Sequence, residues 1–133
     1  MTGGSPIIRV IARFAVPVSV LVAARIFWQG HDNPGGGFIA GVLLAAAGVI
    51  WLLAFGVGRV AGIAWWRVAV LGLLVSVLTG TVPLLRGRAY MDHTILHLGG
   101  IHLPTATFFD LGVMLIVVGT LMTIFVELAG ERR

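Results

Sequence analysis

Residues 30–41 read GHDNPGGGFIAG, and six of these twelve positions are glycine or proline. On either side the chain is almost wholly apolar, from Ile7 to Trp28 and again from Phe38 to Val57. Asn33-Pro34 favours a turn and the three glycines permit positive φ, so the stretch stops one helix and lets another start. It therefore divides one long oily region into two segments of about 20 residues, the length that crosses a bilayer core of about 30 Å. Two further segments of the same kind follow, at about 66–85 and 108–128. The breaks between them are the stretch GVGRVAGIAW and a longer loop from Arg86 to Thr107.

Composition agrees with this division. Of 133 residues 59% are hydrophobic and only 11% are charged, and the mean hydropathy is +1.06. That mix lies far from a soluble domain. The expected fold is an all-α integral membrane protein: one domain over 1–133, a bundle of four transmembrane helices at about 7–28, 38–57, 66–85 and 108–128, with the longer loop between helices 3 and 4. The N-terminal span carries Arg9 and Arg13 but no small-residue cleavage site follows it, so it is expected to stay uncleaved.

Net charge is +4 and all nine basic residues are arginines. A sequence pI near 11.5 would suggest nucleic acid in a soluble protein, but these arginines sit at the ends of apolar runs, where they act as topology signals. Six fall on one side (Arg9, Arg13, Arg59, Arg67, Arg132, Arg133) and three on the other (Arg25, Arg86, Arg88). The bias predicts both termini in the cytoplasm, with GHDNPGGG and the long loop on the opposite face. Trp28, Trp65 and Trp66 stand at span ends as interfacial aromatics do, whereas Trp51 lies inside the second span, where its indole N–H wants a partner.

Small residues recur at four-residue spacing: Gly37, Gly41 and Ala45 in the second span, Gly72, Ser76 and Gly80 in the third. Such faces let helices approach closely in lipid. They are expected to serve packing within the chain and docking onto other subunits alike.

Ionisable residues in or beside spans are expensive and so are candidates for function. Asp110 is expected in the first turn of the fourth span, where the helix dipole favours a carboxylate. Glu127, near the other end, is joined by Thr123 and Thr120 four and seven residues earlier, a polar stripe on that helix. Asp110 and Glu127 lie about 25 Å apart by helix rise and could only be separate stations. Arg25 is expected in the last turn of the first span, where a cation suits the dipole and Asp32 is the nearest acid in sequence. Arg9 and Arg13 read as snorkelling anchors. The histidines are His31 in the opening stretch and His93, His97 and His102 in the long loop. His93 and His97 would share a face if the loop were helical, but no H-E-x-x-H pattern accompanies them and Gly99-Gly100 interrupts any helix, so no metal site is expected. PGGGFIAG lacks the lysine and hydroxyl residue of a P-loop, and no preceding strand makes it a dinucleotide site. No nucleophile, base and orienting group come together, so an enzyme is not expected, nor any cofactor.

GHDNPGGGFIAG after a first span, with LGGIHLPTATFFDLGVMLIVVG leading into the last, resembles the B subunit of the multi-subunit Mrp-type sodium/proton antiporters. The likeness extends over nearly the whole chain and is most specific in P-G-G-G-F and in G-I-H…T-A-T-x-F-D-x-G-V-x-L. This chain departs from the common G-H-N-x-P-G-G-G-F-x-G-G by placing Asp32 and Asn33 between His31 and Pro34, and by Ala40 in place of a glycine. The resemblance implies a subunit of the cytoplasmic membrane that joins other integral-membrane subunits in exchanging sodium or another monovalent cation for protons, driven by the proton motive force. The partners so implied are those subunits, sodium ions, protons and the lipid bilayer. Carried over by motif, the residues of interest are His31, Pro34, Gly35, Gly36, Gly37, Phe38, His102 and Asp110, with Arg25, Glu127, Thr120 and Thr123 secondary. Two alternatives stay open: an assembly subunit that transports nothing, and a membrane subunit of a related hydrogenase or complex I-like assembly.

Overall fold

The computed structural model describes residues 5–30, 36–58, 60–85, 87, 95–98 and 101–130. Within them lie four helices, α1 (Pro6–Gln29), α2 (Gly36–Phe55), α3 (Trp65–Leu85) and α4 (Thr105–Gly130), and two short strands, β1 (Ile95–Leu98) and β2 (Ile101–Pro104). Each helix is long and apolar enough to cross a membrane, so the all-α membrane architecture holds.

Local chemistry sets the helix ends. Ser5 caps α1, its hydroxyl accepting from the Ile8 N–H at 3.4 Å, and Pro6 follows at the first helical position, where its missing N–H costs nothing. α1 ends at Gly30, whose N–H donates to the Phe27 carbonyl at 3.2 Å. The chain then returns to Gly36 so closely that a Cβ on Gly30 would overlap the Gly36 Cα. Gly36 itself has φ +42°, a left-handed conformation that favours glycine.

Two features differ most from the sequence expectation. α4 begins at Thr105 rather than near 108, because Thr105-Ala106-Thr107 are polar enough to fall outside the apolar run yet suit a helix start after Pro104. Part of the long loop is not irregular: β1 and β2 pair antiparallel, Ile95 opposite Pro104 and His97 opposite His102, and β2 runs straight into α4. His97 therefore lies in a strand rather than a helix; His93 lies outside the described residues.

The helices pack in the spatial order α1, α2, α4, α3: α1 rests on α2, α2 on α4 and α4 on α3, with other helix pairs at most grazing. The bundle is thus a row one helix thick. Its seams are made of small residues, since lipid offers little hydrophobic drive for helix association and close backbone approach must supply the attraction. On α3 the buried positions are Gly72, Ser76, Gly80 and Pro83; on α4 they are Thr105, Gly112, Gly119 and Met122. A Cβ on Gly72 would come 2.6 Å from the Gly112 carbonyl oxygen, so neither chain could step back to admit one without opening the seam. Ser76, buried, donates to the Phe109 carbonyl across the same seam at 3.4 Å. Gly37 and Gly41 pack on α4 in the same way. Both small-residue faces are therefore consumed inside the chain, and the surface left for partners is the opposite one, of Leu, Val, Ile and Phe.

Candidate functional site at the meeting of α2 and α4

The first turn of α2 meets the second turn of α4. A Cβ on Gly36 would lie 2.9 Å from Asp110 Oδ2 and 3.3 Å from its Cγ, so the carboxylate stands directly over the opening of that helix. One residue on, Gly37 presses on the Asp110 backbone, where an added Cβ would run into the carbonyl oxygen and sit 2.7 Å from the carbonyl carbon. The two motif segments, 73 residues apart by the numbering of Gly37 and Asp110, meet where glycine lets the backbones approach closely. Asp110 is half-buried and is not without a partner. Its neighbourhood favours a negative charge, because the first N–H groups of a helix have no intrahelical acceptor and carry the positive end of the dipole.

The remaining expectations divide. Asp110 belongs to the second turn of α4, since the helix starts three residues earlier than its apolar run; its own helix start is then a weaker reason for its charge than the start of α2. Arg25 is exposed and lies one turn before the final turn of α1, which has no basic residue. Phe38 is 60% exposed. His102 lies in β2 opposite His97. His31, Asp32, Pro34 and Gly35 lie outside the described residues, and the suggested Arg25–Asp32 pair with them.

The polar stripe of α4 resolves into two parts. Thr120 is exposed, while Thr123 and Glu127 face a cavity of about 210 Å³ shared with Ile63, Ala64, Trp65 and Trp66. The Thr123 hydroxyl donates to the Gly119 carbonyl at 2.7 Å. The Trp65 indole donates to the Val60 carbonyl at 2.9 Å, fixing the turn before α3. Trp51 packs on Phe55 with ring centroids 4.4 Å apart, beside a second, apolar cavity of about 350 Å³. Among the described residues no group of three or more His, Asp or Glu is clustered so as to hold a metal. Sequence reading did not single out Thr105, buried at the start of α4; Pro-Thr ahead of an apolar run was the signal that could have found it.

Four apolar spans in a glycine-sealed row, with one carboxylate lodged against a helix start, define a multi-pass membrane protein. The family model described as a domain related to the MnhB subunit of Na+/H+ antiporter matches residues 7–123, and the chain belongs to that family. Among curated relatives, the antiporter subunit mnhB2 of Staphylococcus epidermidis is 32% identical and that of Staphylococcus haemolyticus 34%, each over 95% of both chains. A solved structure of the Mrp complex from Dietzia sp. DQ12-45-1b contains a similar fold, with TM-score 0.82 and 28% identity over the whole of this chain. This chain spans 16% of the length of that solved chain.

Proposed function

We propose that the chain is a subunit of a multi-subunit monovalent cation (sodium)/proton antiporter of the cytoplasmic membrane, driven by the proton motive force, and that it borders the ion path at the junction of α2 and α4. The observation that carries this reading is the Asp110 carboxylate set over Gly36, with the Asp110 backbone against Gly37. A charge placed in a membrane span is costly and is kept for a use. A carboxylate accepts either a proton or a sodium ion, and that competition is what exchange requires. Names of the relatives and the Mrp complex support the assignment, and both imply other integral-membrane subunits as partners. The chain acts as a transport component rather than a catalyst, with both termini cytoplasmic by the arginine bias.

The test is cation-driven proton movement in inverted vesicles from a strain lacking this chain, with and without its return. Exchange that is unchanged in its absence refutes the proposal. In the restored strain Asp110→Asn is expected to leave complex yield intact and cut exchange by tenfold or more, about 1.4 kcal/mol or above in the transport barrier. If Asp110→Asn and His31→Ala both retain normal yield and exchange, the direct role is lost. The second reading, a non-transporting assembly subunit, then stands; the broad apolar surface that the row leaves exposed favours it.

A further inference from the structure

The cavity at the far end of α4 is independent of the junction at Asp110. Its walls are the turn before α3, through Ile63 and Ala64; the first residues of α3, Trp65 and Trp66; and one face of α4, Thr123 and Glu127. α3 and α4 are antiparallel, with Gly119 lying against Trp65 and Ala69, so α4 runs on for more than two turns beyond the start of α3. At 26 residues α4 is about 39 Å long, whereas the hydrocarbon core is about 30 Å thick. The last turns of α4 and the cavity beside them therefore stand at headgroup depth. Trp65 and Trp66 mark the same level, as amphipathic rings do at a membrane interface.

Charge at the cavity is of both signs. Glu127 contributes a carboxylate that, among the described residues, has neither ion-pair nor hydrogen-bond partner. The Arg67 guanidinium lies 5.3 Å from the ring centroid of Trp66, a residue of the cavity wall, in a cation–π contact. An anion on the wall and a cation stacked on a neighbouring wall residue complement a zwitterion. The volume, about 210 Å³, is below the roughly 300–1,000 Å³ of sites for drug-sized ligands, but it suits a small headgroup.

We propose that this cavity binds the headgroup of a zwitterionic phospholipid bearing a primary ammonium, with the ammonium donating to Glu127 beside the Trp66 ring and the phosphate facing Arg67. A primary ammonium supplies N–H donors for the carboxylate. A trimethylated headgroup has none, and an anionic one places its charge against Glu127.

The test uses the full chain in its assembled complex, reconstituted in nanodiscs of equal dioleoyl phosphatidylethanolamine, phosphatidylcholine and phosphatidylglycerol. Native mass spectrometry after mild delipidation reads which lipids stay bound. The wild-type complex is expected to retain one more phosphatidylethanolamine than Glu127→Gln. The variant's preference for that lipid over phosphatidylglycerol should fall by roughly tenfold, the loss of one charge-assisted hydrogen bond. Arg67→Gln should lower retention of both phosphatidylethanolamine and phosphatidylglycerol. An unchanged preference in Glu127→Gln overturns the proposal. As a second measurement, a photo-crosslinking residue at Val126, which also lines the cavity, should yield a lipid adduct. A crosslink to another subunit means that protein fills the cavity, and it overturns the proposal equally.

Discussion

Gly37→Ala adds one methyl group at the tightest point between α2 and α4. That methyl would collide with the Asp110 carbonyl oxygen and lie 2.7 Å from the carbonyl carbon, against the 3.4 Å at which ordinary contact begins. The seam must open by at least ~0.7 Å, and because the obstacle is backbone, no side-chain rotation can absorb it. Overpacking of this kind costs about 1–3 kcal/mol, and the displacement also carries the Asp110 carboxylate away from the first turn of α2. The control is Gly62→Ala, where an added Cβ meets nothing within 4 Å and the cost should be within about 0.5 kcal/mol. The assay is thermal unfolding of the purified complex together with exchange in vesicles. Gly37→Ala should lower the midpoint by several degrees and reduce exchange; Gly62→Ala should do neither. Two variants that unfold at the same temperature would refute the account of the seam.

Other expectations are more local. Phe38→Ala should leave the fold of this chain intact, since Phe38 is largely exposed in it, and lower the yield of assembled complex in a pull-down on a neighbouring subunit. Normal yield would show that Phe38 faces lipid. Trp65→Phe removes the indole N–H that holds the Val60 carbonyl, a loss of about 0.5–1.5 kcal/mol. Faster hydrogen exchange confined to residues 60–64 is its expected signature.

Much of this architecture was legible from hydropathy, because a span must bury every backbone polar group inside its own helix and so leaves an unbroken apolar run. The run marks hydrocarbon contact rather than the helix itself. That is why α4 appeared to start at Phe108 while three small, more polar residues had already formed its first turn. Spatial order was not legible at all. Helices apolar on every side carry no stripe that points to a neighbour, so the sequence of seams α1, α2, α4, α3 emerges only from the backbone. The small-residue spacing correctly located two contact faces but not their occupant, since a glycine face serves a helix of the same chain or of another equally well. At the site, motif resemblance selected Gly36, Gly37 and Asp110 separately. Nothing in the spacing said that Gly36 would face that carboxylate and Gly37 its backbone.

A single row of helices makes a partition rather than a vessel. Each helix shows one flank to either side, so among the described residues no cleft closed by this chain alone runs across the membrane. Any aqueous route along it needs a second wall from another chain, and the two flanks answer to different neighbours. A tryptophan scan along α2 or α4 should then split by flank, bulky substitutions on one side weakening contact with one neighbour and those on the other side with another, while the glycine seams tolerate neither.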